Sequence, residues 1–164
     1  MNSPIVTPPL KRRLASLIYE SVLLFGVLFC ATAVALLAAV LLQQFKSPFL
    51  QQATATWTFF IFGVYFIWLW THGGQTLPMK TWRIRVVAAD GNVLGPWRAL
   101  GRYLLAWLWV LPGWAAASLF QASGWKFGLI LALNCVLLAI ASRFDKDRQF
   151  LHDRLAGTRL IVAA

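Results

Sequence analysis

From Ser21 to Leu42 the chain runs without a charged residue. As a helix that stretch is about 33 Å long, enough to cross a hydrocarbon core of roughly 30 Å. Lys11, Arg12 and Arg13 stand before it, and the helical pattern reaches back through Leu14, predicting a first helix over 14–42. A cleaved leader also combines a basic start with an apolar run and small residues such as Ala31, Ala33 and Ala35. Here the run continues to Leu42 past any such site, so the helix is read as retained.

Three more apolar stretches predict helices over 53–71, 96–120 and 127–142. Gly73-Gly74 suits a left-handed helix end, and Gly95-Pro96 suits a helix start. Pro112-Gly113 falls inside the third stretch and predicts a kink, tolerable in a membrane where a neighbour satisfies the freed carbonyl. The fourth is short, about 24 Å by helical rise, and relies on Trp125, Lys126 and Arg143 to reach both interfaces. With 60% of residues hydrophobic and 12% charged, disorder is excluded and a water-soluble core disfavoured. The expected organisation is a basic tail over 1–13, a helical domain over 14–142 with a connection at 72–95, and a tail over 143–164. The fold class is an all-α membrane protein, a four-helix transmembrane bundle with a small cytoplasmic β element.

Fifteen Lys and Arg against five acids give a net charge of +10. Long hydrocarbon stretches interrupt the basic residues and no nucleic-acid motif is present, so the expected partner is an anionic bilayer surface rather than nucleic acid. Lys11, Arg83, Arg85 and Arg98 are candidate headgroup-binding residues. Basic residues crowd the N-terminal tail, the central connection and the C-terminal tail, while the other two joints hold only Lys46 and Lys126. The positive-inside rule then places both termini and the connection in the cytoplasm. Trp68, Trp70, Trp82 and Trp97 read as an inner aromatic belt, and Trp107 and Trp109 as packing residues. Thr81 to Val87 alternates in strand fashion and Asp90-Gly91 suits a hairpin turn before Val93. A second strand pattern covers Thr158 to Val162, and the two are expected to pair into a small sheet at the membrane surface.

Glu20 is the acid that should lie within the inner leaflet, where ionisable residues mark a pathway or a buried pair. Arg13, Ser16 and Glu20 share one helical stripe. Both long side chains lean toward the N-terminus, so spacing alone does not join Arg13 to Glu20, and Arg12 or Arg102 could supply the cation. Cys30 and Cys135 sit in apolar runs as packing residues, His72 and His152 read as surface residues, and Asp145 and Asp147 as a solvated helix exit. Neither a metal site nor a cofactor site is indicated, and no nucleophile motif suggests an enzyme.

Arg13 with an acid seven residues on, Gly74-Gln75-Thr76 leading into Lys80 and the strand Arg83 to Val87, and the run His152-Asp153-Arg154-Leu155-Ala156-Gly157-Thr158 together resemble the RDD family of bacterial membrane proteins. The resemblance spans Lys11 to Val162. It implies that Arg13, Glu20 and Asp153 hold the positions of the family's Arg and two Asp, with Glu replacing the first Asp. Leu77-Pro78-Met79 departs from the family's shorter turn. The expectation is one cluster of Arg13, Glu20 and Asp153 at the inner face of the bacterial cytoplasmic membrane. The expected function is a small transporter or ion-exchange protein, acting as a homo-oligomer or with a membrane-protein partner. The alternative is a non-catalytic scaffold or subunit that binds anionic lipid and a larger membrane complex.

Overall fold

The computed structural model describes residues 6–41 and 48–163. The expectations for residues 1–5, for Leu42 and for the joint at Lys46 lie outside them. The protein is mostly helical, with one two-stranded sheet. The order is α1 (Leu10–Leu41), α2 (Pro48–His72), α3 (Leu77–Thr81), β1 (Ile84–Ala88), α4 (Pro96–Ala106), a 3-10 turn (Trp107–Trp109), α5 (Leu111–Leu119), α6 (Trp125–Ala141), α7 (Leu151–Leu155) and β2 (Thr158–Val162).

Helix α1 has two different halves. Its first turns bury Arg13, Ser16 and Glu20, whereas Val22, Phe25 and Phe29 beyond them are 69%, 70% and 68% exposed. An apolar surface of that kind suits hydrocarbon rather than water. Leu10–Ala38 is, among the described residues, the one helix long and apolar enough to cross a membrane. Trp125–Ala141 is apolar but shorter, 17 residues, or about 25 Å by helical rise.

The third apolar stretch is broken rather than kinked. Helix α4 ends at Ala106, the 3-10 turn follows, and α5 restarts at Leu111. Pro112 has no N–H to offer the carbonyl of Leu108. Asn134 of α6 fills the vacancy, its Nδ2 donating to Leu108 O at 3.4 Å and to Trp109 O at 2.8 Å. A Cβ on Gly113 would lie 3.0 Å from Asn134 Cβ, so α5 and α6 meet closely where that bond forms.

The other end of the helices is closed by a cap of α3, β1, α7 and β2. Trp70, Met79, Ile84, Val86, Leu94, Tyr103, Phe150 and Leu160 belong to its core. The two strands are antiparallel, with Ile84 opposite Val162, Val86 opposite Leu160 and Ala88 opposite Thr158. Strand β1 therefore takes its partner from the far end of the chain, while Asp90 caps a local turn through Asn92 N at 3.1 Å. Val93 lies in no strand, so the local hairpin expected from Asp90-Gly91 is not formed. Gln149 clips β2 from its other side, accepting from Leu160 N at 2.9 Å and donating to Leu160 O at 3.2 Å.

Gly74 joins α2 to this cap at φ +70°, with its carbonyl accepting from Val86 N at 2.7 Å. A Cβ there would stand 2.5 Å from Val86 O. Gly74→Ala is therefore expected to lower stability by about 1–3 kcal/mol through left-handed strain, with the backbone clash added. Denaturant unfolding of the detergent-solubilised protein measures the loss. A fully stable variant would show that the junction relaxes freely.

Candidate functional site in the cap

Glu20 is 7% exposed on α1. Its Oε1 accepts from Tyr65 Oη of α2 at 2.9 Å, and its Oε2 accepts from the Thr76 hydroxyl. Thr76 is also the N-cap of α3, accepting from Met79 N at 3.4 Å. The carboxylate is thus held by two neutral hydroxyls from two other segments. Neither hydroxyl was identified from sequence; each required knowledge of which helix faces Glu20.

Arg13 is 3% exposed, with its guanidinium 4.4 Å above the Phe150 ring. Its Nε and Nη1 have no hydrogen-bond partner among the described residues. Asp153 lies within electrostatic reach of Arg13, but it bonds elsewhere. The side chain of Asp153 is fully buried, and its Oδ1 accepts from Arg102 Nε at 2.7 Å and from Thr158 Oγ1 at 3.3 Å. Arg102, 6% exposed, lies 4.1 Å over the Trp70 ring. Trp70 is consequently a core residue beneath Arg102 and leaves the inner aromatic belt expected for it.

His152 is buried, not a surface residue. Its Nδ1 is 3.1 Å from Trp109 Nε1, which can only donate, so Nδ1 accepts and the neutral ring carries its proton on Nε2. That Nε2 lies 3.5 Å from Asp153 Oδ1. Burial pushes the imidazole down to about 4, with Arg102 acting in the same direction and Asp153 opposing.

The other candidates lie outside this assembly. Arg12 donates from Nε to Trp82 O at 3.0 Å and so anchors α1 to the cap backbone rather than to Glu20. Lys11, Arg83 and Arg85 are exposed, and Arg98 pairs with Asp90 at 3.5 Å on the surface. His72 is exposed and stacks on Trp68 at 3.9 Å. Asp145 and Asp147 are tied rather than free. Arg154 reaches Asp145 at 3.0 Å, Arg159 reaches Asp147 at 2.9 Å, and Asp145 Oδ2 accepts from Gln149 N at 3.0 Å.

Above the buried charges lies a cavity of about 350 Å³ between α1, α2, α4 and the cap. Arg13, Glu20, Arg102 and His152 are among the residues that line it, with Leu24, Phe62, Trp70, Trp107 and Val110. Three chain segments, α1, α4 and α7, thus bring two arginines, Glu20 and the neutral His152 to one concave surface that is otherwise mostly apolar. Such a surface can hold a charged group against an apolar one.

The chain matches the RDD family over residues 7–157. It is also similar to the probable 4-amino-4-deoxy-L-arabinose-phosphoundecaprenol flippase subunit ArnE of Pseudomonas aeruginosa, 38% identical over 97 residues, covering 54% of this chain and 76% of the relative. The same subunit of Pseudomonas paraeruginosa is 36% identical over 97 residues with the same coverage. No solved structure matches. These likenesses point to an inner-membrane protein, a setting that the exposed apolar surface of α1 suits. The chain belongs to the RDD family of bacterial membrane proteins.

Proposed function

We propose that this protein is a small transport subunit of the bacterial cytoplasmic membrane, with the cavity under α1, α2 and α4 as its solute site. Four spans are assigned: α1, α2, the broken pair α4–α5, and α6. The cap and both termini face the cytoplasm, and Lys11, Arg83, Arg85 and Arg98 rest against anionic headgroups. The observation that carries this reading is a buried carboxylate, Glu20, whose hydrogen bonds among the described residues come from two hydroxyls, beside a cavity that it helps to line. An acid so placed can exchange a proton or a cation without first breaking an ion pair. The likeness to flippase subunits supports transport over catalysis. One copy offers little enclosed polar volume, so the working unit is a homo-oligomer or a complex with a membrane-protein partner.

Purified protein in liposomes tests this. Gradient-driven flux of H⁺, Na⁺ or K⁺ is expected, falling to background in Glu20→Gln while circular dichroism and size-exclusion behaviour stay unchanged. No flux of any of these ions in wild type would favour the second reading, a scaffold docking through the bare apolar flank of α1, which Val22, Phe25 and Phe29 make available.

A further inference from the structure

Helix α7 has two contrasting faces. Its inner face carries His152 and Asp153, 4% and 0% exposed, which reach Trp109 and Arg102. Leu151, Arg154 and Leu155 share the outer face, since residues three and four apart are neighbours on a helix. Leu151 is 45% exposed and Leu155 57%, so the outer face is apolar and open. The level at which α7 sits bears on what covers it. Leu151 and His152 share a small crevice with Leu108, Trp109 and Leu138. Leu138 belongs to the last turn of α6, which ends at Ala141, so α7 lies beside that turn rather than beyond it. In the same helix Leu133, Leu137 and Ile140 fall on one stripe and are 54%, 58% and 46% exposed, the surface of a helix in hydrocarbon.

The loop between α6 and α7 supplies charge. Arg143, Lys146 and Arg148 are exposed there, and Phe144 among them is 86% exposed. Asp145 and Asp147 of the same loop are taken by Arg154 and Arg159, which leaves those three cations without an acid among the described residues. Bare apolar side chains interleaved with uncompensated cations suit the boundary of an anionic bilayer. A second copy of the chain offers no spare acid, because Asp90, Asp145, Asp147 and Asp153 pair with arginines and Glu20 is buried. We infer that α7 is an interfacial helix on the cytoplasmic side of the bilayer, with Leu151 and Leu155 against the upper acyl chains. Arg143, Lys146 and Arg148 then meet the headgroups above it. Lipid over the outer face keeps water from Asp153 on the inner one, where a dry setting strengthens its bond to Arg102. The inference rests on α6 as a span and not on transport.

The test is collision accessibility of nitroxide labels in liposomes of mixed neutral and anionic lipid, on the full chain carrying Cys30→Ala and Cys135→Ala. Labels go on Leu151→Cys and Leu155→Cys, on Leu137→Cys in α6, and on Asn92→Cys in the exposed turn after β1. Molecular oxygen dissolves among acyl chains, whereas a neutral nickel chelate stays in water. At positions 151 and 155 the chelate is expected to collide at least about tenfold less often than at position 92, because polar solutes are excluded from hydrocarbon. Oxygen should reach both positions, as it reaches position 137. Nickel collisions at 151 and 155 as frequent as at 92 would overturn the inference. Exclusion of both reagents would overturn it as well, and would show that protein covers the face. All four labelled positions are exposed, so the fold should hold, and either position in α7 decides alone. Nickel reaching position 137 would retire the span at α6 and this inference with it. Nickel at 151 and 155 with oxygen alone at 137 retires only the interfacial helix, and ion flux tests transport separately.

Discussion

Asp153→Asn is expected to cost about 3–5 kcal/mol of stability, the usual loss when one member of a buried ion pair is removed and the other stays charged. Arg102 is the residue left behind. It is 6% exposed, its Nε is 2.7 Å from Asp153 Oδ1, it lies over the face of Trp70, and Glu20 is within electrostatic reach without pairing to it. An amide accepts one hydrogen bond but offers no charge. The control is the double replacement Arg102→Met with Asp153→Asn, which removes both charges together. It should be no less stable than the single variant, because an apolar side chain in that place needs no counter-charge. Denaturant unfolding in detergent reads all three proteins. A single variant within about 1 kcal/mol of wild type would show that Arg102 draws its compensation from elsewhere.

Acid is the second large lever, acting through His152. Its imidazole is held down to about 4 in the folded protein, against an ordinary value of 6.5. Between those two values the unfolded chain binds a proton that the folded chain refuses. Stability is therefore complete above about pH 6.5, falls as the pH drops, and levels off near pH 4. The slope approaches about 1.4 kcal/mol per pH unit, which over this window amounts to about 3 kcal/mol. The groups facing the ring are Asp153, Arg102 and the donor Trp109. Unfolding measured from pH 7 to pH 4 should show the slope in wild type, and His152→Gln should flatten it. An equal slope in both proteins would assign the acid sensitivity to other groups.

Much of the backbone could be read from residues alone, because hydrocarbon length and alternation are local properties. The charge-free run after Arg13 and the strand patterns at Ile84 and Thr158 needed no knowledge of neighbours. The two strands pair with each other, since each is too short to stand without a partner and both belong to the cap. Side-chain partnerships are another matter. Spacing puts Arg13, Ser16 and Glu20 on one stripe, but only the crossing of α1 and α2 brings Tyr65 to Glu20. Spacing equally could not choose Asp153 for Arg102, fifty-one positions away. His152 looked like a surface residue because its burial depends on Phe150 and Trp109 stacking around it. Asn134 stands inside an apolar run. A polar amide among Leu, Cys and Val was a visible signal, and the carbonyls set free by Pro112 were its missing half.

The closing strand has a consequence for how the chain is made. Strand β1 leaves the ribosome long before β2, with α4, α5 and α6 emerging in the interval. Until α7 and β2 arrive, Arg102 has no Asp153 and Ile84 and Val86 have no sheet partner. The newborn chain therefore carries an unpaired strand edge and an uncompensated guanidinium until residues 153–162 have been translated.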